Sequence, residues 1–349
     1  MTTQLNGKLG THRGVTAFSF KDINEALYVL KEEVLENGDR VETRNGTAYE
    51  IPSPVAVTFN RPTRRVLFYR QRDANPVFHF LESIWMLAGR NDLAWIQNYN
   101  KRMAEYSDDG EIFNGAYGYR WRNHFDKDQI EIACQRLIEY ENDRRAVVTM
   151  WDPTFDLTDS NKGKDHPCNT HIYFSVRKNR LDMTVCNRSN DLIWGMCGAN
   201  AVHMSMLQEY MASVIDAGIG IYTQFTNNLH AYFDTLEKLV DMQPDYDAYK
   251  TRGLVPYPLV DEPSTFLKEA EKFCSEIIAM EKMTEKKLNY VYDNTVFEEV
   301  GLPMHNMYMA WKDKNYDEAY LCAMDIKAAD WRLACKEWLE RRKPNGKRI

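Results

Sequence analysis

Long apolar runs are missing from this 349-residue chain. No stretch approaches the ~18 residues that a membrane-spanning helix needs, and the opening segment MTTQLNGKLGTHRG has none of the apolar character of a secretion signal. An excess of positive charge is missing too. The formal net charge of −7 argues against a general nucleic-acid coat, yet leaves room for a local basic pocket that takes a small anion. Seven cysteines, an odd number, are scattered at Cys134, Cys168, Cys186, Cys197, Cys274, Cys322 and Cys335 without the paired spacing of a zinc site. Reduced thiols in a cytoplasm are expected, with no metal, no membrane and no nucleic-acid partner. Internal repeats, low-complexity tracts and linkers long enough to separate independent units are also lacking.

What is present reads as an ordinary enzyme-sized body. Asp22, with Glu25 three residues on, opens an amphipathic helix through Ile23, Ala26, Leu27, Leu30 and Val34 that stops near Asn37-Gly38. Val55–Phe59 and Val66–Tyr69 read as paired strands around Arg61-Pro62-Thr63. A largely apolar helix follows from Pro76 to Leu87, ending at Gly89. Strands are predicted at Ala146–Trp151, Ile172–Val176 and Leu181–Cys186, the last two joined by a short polar turn, and a long buried helix at Ala199–Ile215. After the Pro-rich stretch Leu254–Pro263, apolar stripes through Phe266, Ala270, Phe273 and Ile277, and later Ala328, Trp331, Cys335 and Trp338, mark further helices. The fold class expected is α+β: one catalytic domain with its core at about residues 20–240 and a helical C-terminal extension over about 250–349. A split into two domains near residue 250 is the alternative.

The chemistry centres on Cys168, in His-Pro-Cys-Asn-Thr-His (166–171), at the start of a predicted strand. Only the thiolate attacks carbon efficiently, so a catalytic cysteine needs positive charge beside it. Arg188 can supply it from the next strand. A phosphate in the same pocket needs several donors at once, and Arg188-Ser189 with Arg144-Arg145 would provide guanidinium forks and a hydroxyl. Strand alternation sends Arg144 and Arg145 to opposite faces, a conflict that an adjacent subunit would resolve. A Cys-His pair with His171 is disfavoured, because alternation places that ring on the face opposite Cys168. Cys186 and Cys197 read as small buried hydrophobes.

Taken together, the motifs resemble the thymidylate synthase superfamily over most of residues 20–236. Phe113-Asn-Gly-Ala-Tyr-Gly-Tyr-Arg-Trp-Arg122 is similar to its Gly-x-x-Tyr-Gly-x-x-Trp-Arg segment, and Asp143-Arg-Arg145 to its arginine pair. Pro167-Cys168 resembles its nucleophile, Arg188-Ser-Asn-Asp191 with Gly195 its Arg-Ser-Cys-Asp-x-x-x-Gly run, and Asn228-Leu-His-Ala-Tyr232 its Asp-x-His-x-Tyr. The resemblance implies that Cys168 adds to C6 of a pyrimidine nucleoside monophosphate, making C5 nucleophilic toward the methylene carbon of 5,10-methylenetetrahydrofolate. It implies phosphate binding by Arg44, Arg188 and Ser189, with Arg144 and Arg145 donated by the other subunit of a homodimer. His230 and Tyr232 would hold the sugar, Glu82 would order water and move protons, Tyr117 would lie near the departing C5 proton, and Asp191, with Gly195, would meet the folate.

Three departures bear on the reaction. Met103 stands where methylating members have a tryptophan, Asn169 replaces the histidine after the nucleophile, and the tail Arg341–Ile349 lacks the family's folate-closing Pro-x-Pro…Met-x-x-Val. A site that admits water would end the reaction as hydroxymethyl rather than methyl. The expectation is therefore a C5-hydroxymethylase of the kind viruses use for modified DNA precursors, in the host cytoplasm if the chain is viral. Thymidylate synthesis is the alternative, and a non-catalytic nucleotide-binding protein is a further one. Base choice stays open between uracil, slightly favoured, and cytosine. Ungapped counting puts Ala199 at the base-reading position, whereas a one-residue shift around Gly198 brings in Asn200, whose amide can serve either base by flipping.

Overall fold

A computed structural model describes residues 14–158, 163–245, 247–282 and 291–343. Among the described residues, ten strands form two sheets. β1 (Thr16–Phe20), β4 (Val55–Phe59), β9 (Gly218–Thr226), β7 (Arg180–Asn187), β6 (Asn169–Val176) and β5 (Val147–Thr149) make the larger sheet in that spatial order. The smaller one runs β2 (Asp39–Thr43), β3 (Gly46–Glu50), β10 (Leu229–Tyr232), β8 (Asn190–Asp191). Parallel pairs β1/β4 and β7/β9 alternate with antiparallel ones, so the sheet is mixed, as the α+β reading requires.

Helices cover one face of the larger sheet. Asn200–Val214 lies across β7 and β9, where Gln208 donates to the carbonyls of Leu181 (2.7 Å) and Ile221 (3.0 Å). These carbonyls flank a β-bulge between Leu181 and Met183, and the helix side chain takes up acceptors that the ladder leaves over. The Pro76–Leu87 helix is buried along its whole length, with Pro76 at its first position and the Asn75 side chain accepting from the Phe78 amide at 3.1 Å. It ends at Gly89, whose φ of 72° suits glycine.

One predicted strand is absent. Val66–Tyr69 is extended but joins no sheet, because the buried Asn24 side chain substitutes for a neighbouring strand: its Nδ2 donates to Val66 O (2.9 Å) and its Oδ1 accepts from Phe68 N (3.0 Å). The Ala146–Trp151 strand shrinks to Val147–Thr149, and Arg144 and Arg145 fall in the turn before it rather than in an alternating strand.

The extension consists chiefly of the helices Pro263–Lys282, Leu302–Lys312, Tyr316–Asp325 and Ala329–Glu340. They share one apolar cluster with the body. Trp331 meets Phe80 edge-on at 5.3 Å, and the Tyr99 hydroxyl lies 2.8 Å from His305 Nδ1. A buried Arg65–Glu209 ion pair sits at the same seam, where Glu209 also accepts from the Leu259 amide at 2.8 Å.

Candidate active site

β7 and β9 leave the larger sheet side by side, bend over two residues each (188–189 and 227–228), and continue as β8 and β10 in the smaller sheet. Backbone bonds hold the double bend: Asn190 N to Asn228 O, Asn227 N to Asn187 O and Arg188 N to Cys168 O, each 2.9 Å. Because β6 is antiparallel to β7, the residue before β6 meets the residue after β7. Cys168 and Arg188 are thereby neighbours, and Ser189 lies half-buried in the bend.

Arg188 is tied down before any ligand arrives. Its Nε donates to Pro167 O (3.0 Å) and its Nη2 to His166 O (3.2 Å), leaving Nη2 3.7 Å from Cys168 Sγ. The Trp151 ring stands under the guanidinium at 5.7 Å. Burial pushes the Cys168 thiol above its ordinary value, Arg188 and Arg44 pull it down, and Asp165 pushes it up. The thiol therefore rests protonated at neutral pH, and the two arginines favour the thiolate. Burial, and then the neighbouring thiol, likewise lift Tyr117, partly offset by the backbone amides of Asn169 and Cys168. Its phenol thus adjoins the nucleophile as a neutral hydroxyl.

The glycines around Tyr117 explain their motif. A Cβ on Gly118 would lie 1.9 Å from Met86 O, and one on Gly115 2.8 Å from the Asp165 carboxylate, which accepts from Gly115 N at 2.7 Å. Arg120, fully buried, forks onto Asp156 (2.6 and 2.9 Å) and donates to the carbonyls of Asn114 and Met150, both at 2.8 Å. Removing either partner would strand a buried charge at about 3–5 kcal/mol. This motif builds the wall that holds Tyr117.

The smaller sheet supplies another wall. Arg44 and Asn45 form the β2–β3 turn, Arg44 is exposed, and Asn45 Nδ2 donates to the Tyr232 hydroxyl at 3.3 Å. His230 packs edge-on against Tyr232 at 5.4 Å, and its Nδ1 lies 2.9 Å from Asn228 Oδ1. Asp191 pairs with His230 across the ladder. Its Oδ1 accepts from the amides of Ile193 (2.7 Å) and Trp194 (2.6 Å), while its buried Oδ2 has no partner. Burial raises this carboxyl; the Trp194 amide, His230, the Ile193 amide and Arg72 pull it back.

Sequence reasoning missed Arg72, His203 and Trp194. Arg72 is buried, donates to Ile193 O at 3.0 Å and lies over the half-exposed Trp194 ring at 4.2 Å. His203 Nε2 is 2.8 Å from Glu82 Oε2 but off the line of a hydrogen bond, so both ring nitrogens and that oxygen lack hydrogen-bond partners. His79, beside them, is held well below its ordinary value by burial, Arg72 and His203, and is neutral. A histidine inside an otherwise apolar helical run was the available signal for His203.

A chain of buried amides was also missed. Thr226 donates to Asn187 Oδ1 (3.3 Å), Asn187 to Asn169 Oδ1, Asn169 to Asn200 Oδ1 (3.3 Å), Asn200 to Asn190 Oδ1 (3.0 Å), Asn190 to Gln224 Oε1 (2.8 Å) and Gln224 to Met196 O (2.9 Å). The helix carrying Asn200 is broken at Gly198 (φ −126°, ψ −119°), and it is Asn200, not Ala199, that joins this chain. Gly195 leaves it space, since a Cβ there would lie 2.4 Å from Asn190 Oδ1.

Arg144 and Arg145 are not brought to Cys168. Ala146 bonds Phe174, so the pair lies beside the far end of β6, on the order of 20 Å from the thiol by strand rise. There they line an open recess of about 450 Å³ with Tyr140, Asn142 and Asp143, and Arg145 forks onto Asp143 at 3.0 Å. Met103 sits on the short turn Lys101–Glu105, half-buried against the core, where it offers only apolar surface. His171 stacks on Tyr173 (6.3 Å). Residues 1–13 and 344–349, which carry the opening segment and most of the tail discussed above, lie outside the described residues. Among the described residues, no group of three His, Cys, Asp or Glu side chains is placed to hold a metal ion, and no helix is long and apolar enough to cross a membrane.

A thiol beside a fixed guanidinium, with a neutral phenol adjoining it, is an arrangement suited to nucleophilic attack on an anionic substrate. The sequence profile of the thymidylate synthase family matches residues 27–251, and the chain belongs to that family. It is 42% identical over 335 residues to a deoxyuridylate hydroxymethyltransferase of Pseudomonas phage M6, covering 91% of each chain. A protein of the same name from Bacillus phage SP01 is 39% identical over 58% of this chain and 55% of its own. A thymidylate synthase of Symbiobacterium thermophilum is 30% identical over 53% of this chain and 69% of its own.

Proposed function

We propose that the protein is a deoxyuridylate hydroxymethyltransferase, which adds a one-carbon unit to C5 of dUMP and completes the reaction with water. The observation that carries this reading is the fixed Cys168–Arg188 pair in a chain 42% identical, over nearly its full length, to an enzyme of that name. Methylation is less favoured, since the thymidylate synthase match is both weaker and shorter.

Arg188, Ser189 and Arg44 receive the phosphate; His230 and Tyr232 face the sugar; Asn200 reads the base. The Cys168 thiolate bonds to C6, and the C5=C6 electron pair moves toward C5 and O4. 5,10-Methylenetetrahydrofolate, the family's co-substrate, supplies a carbon at the formaldehyde oxidation level. The residues present suit it: the unpartnered Asp191 Oδ2 can accept from a pterin N–H group beside the open Trp194 face, with Gly195 next to that tryptophan in the chain and Met103 as an apolar contact in this reading. C5 bonds to that carbon, and loss of the C5 proton along a path lined by Tyr117 and Glu82 breaks the carbon–nitrogen bond to the folate, so that tetrahydrofolate leaves and an exocyclic methylene remains on C5. Water then attacks the exocyclic carbon and gives up a proton toward Glu82, and the C6–S bond breaks to restore C5=C6 and the thiolate.

A homodimer completes the phosphate site in this reading. The outer face of the larger sheet leaves Val147, Tyr173, Ile221 and Phe225 exposed. A two-fold axis through it reverses β6, bringing Arg144 and Arg145 of the partner subunit toward Arg188. The phage origin of two relatives supports a reaction in a host cytoplasm. The test is release of tritium from C5-labelled dUMP with methylenetetrahydrofolate, followed by the product's mass. Hydroxymethyl-dUMP supports the reading; a methylated product, or no release from any pyrimidine monophosphate, overturns it.

A further inference from the structure

Asn169, Asn187, Asn190, Asn200 and Gln224 are all buried, and every bond in their chain runs the same way: N–H of one amide to C=O of the next. What fixes that direction is its far end. Gln224 meets the backbone carbonyl of Met196, a group that can only accept. Flipping Gln224 would set carbonyl against carbonyl, and flipping any inner amide would set N–H₂ against N–H₂ on one side and oxygen against oxygen on the other. Each such fault leaves buried groups unpaired. The Asn200 amide is thereby held with Oδ1 toward Asn169, beside Cys168, and Nδ2 toward Asn190, with one lone pair and one N–H left over.

Uracil and cytosine present opposite patterns on the same edge. Uracil offers a donor at N3 and an acceptor at O4; cytosine offers an acceptor at N3 and a donor at N4. An asparagine free to flip serves both. We infer that Gln224, through Asn190, locks the Asn200 amide in the uracil-reading orientation and is a specificity-determining positioning residue. This rests on the dUMP reading above. Two departures from the family pattern, Asn169 for histidine and Asn190 for cysteine, flank Asn200 on its two sides and are the links that transmit the lock.

The test compares tritium release from C5-labelled dUMP and dCMP in wild type, Gln224→Met and Gln224→Glu. Methionine fills similar space but has no donor and at most a weak acceptor, whereas glutamate, neutral in this buried position, accepts from Asn190 and donates its O–H to Met196 O, and so keeps the polarity of the inner links. The expected result is a fall of at least about tenfold in the dUMP-to-dCMP ratio of kcat/KM for Gln224→Met, with Gln224→Glu within about threefold of wild type. A purely structural role would lower both substrates together and leave the ratio unmoved. Should Gln224→Met not fold, Asn190→Ser cuts the chain one link nearer the site, and the same loss of discrimination is expected. A wild-type ratio retained in the folded variant overturns the lock while leaving the function intact. A wild type that prefers dCMP, or acts on neither nucleotide, overturns the functional reading instead.

Discussion

Two groups of buried polar side chains in the candidate site are treated in opposite ways. On the amide side, the side chains from Asn187 to Gln224 satisfy one another in a single direction. On the other, Glu82 Oε2, both nitrogens of His203, Arg72 Nη2 and Asp191 Oδ2 are buried without hydrogen-bond partners. An unpaired buried group costs about 1–3 kcal/mol, so several together are a standing expense that ligands or water must offset. In the proposed mechanism the saturated side positions and the unsaturated side receives reactants. Cys168 precedes Asn169 of the amide chain, its thiol protonated at rest and within reach of a guanidinium.

That contrast can be broken from either side. Cys168→Ser removes the nucleophile itself, and C5 tritium release should fall by at least about 10³-fold while the melting temperature stays within a few degrees. Glu82→Gln keeps the shape of the unsaturated side but removes the proton acceptor. A fall in kcat of about 10²- to 10³-fold with little change in the KM for dUMP is expected, and an unchanged kcat would remove Glu82 from the proton path.

Arg188→Met tests the charge over the thiol. Attack needs the thiolate and burial raises the thiol, so kcat/KM should climb with pH up to the thiol's titration. Losing Arg188 should move that inflection upward, on top of a loss of phosphate affinity. A pH profile that does not move would separate Arg188 from thiol activation.

Asp330 is the contrasting case, a saturated group away from the cleft. Its Oδ1 accepts from Trp331 N at 2.9 Å, its Oδ2 from the Tyr249 hydroxyl at 3.2 Å, and burial lifts its carboxyl from 3.8 to about 6. The folded state holds this proton more tightly than the unfolded chain. The stability it adds is therefore full below about pH 4 and lost as pH rises through about 6, a span of about 3 kcal/mol. Asp330→Asn should flatten that part of the melting profile without changing kcat; an altered kcat would tie the extension to the chemistry.

The proximity of Cys168 and Arg188 was legible because both sit in short, ordered motifs at the ends of neighbouring strands. The helix at Pro76–Leu87 and the strands around Cys168 followed from periodicity and breakers. Val66–Tyr69 misled because its alternation is real, yet its hydrogen-bond partner is the side chain of Asn24 rather than a strand. The amide chain was hidden for a different reason. Its members come from β6, β7, β8, β9 and the 200–214 helix, and only the fold brings them together. Gln224 did carry a signal: it occupies an inward position of β9, between buried Tyr222 and Thr226, where alternation calls for an apolar residue. His203 and Glu82 likewise acquire meaning only as a pair.

The most direct test of the central claim is mass analysis of the nucleotide formed from dUMP and methylenetetrahydrofolate in water enriched with heavy oxygen. The account predicts 5-hydroxymethyl-dUMP carrying the heavy oxygen, with tetrahydrofolate as the by-product and no turnover in Cys168→Ser. A methyl product accompanied by dihydrofolate would contradict it.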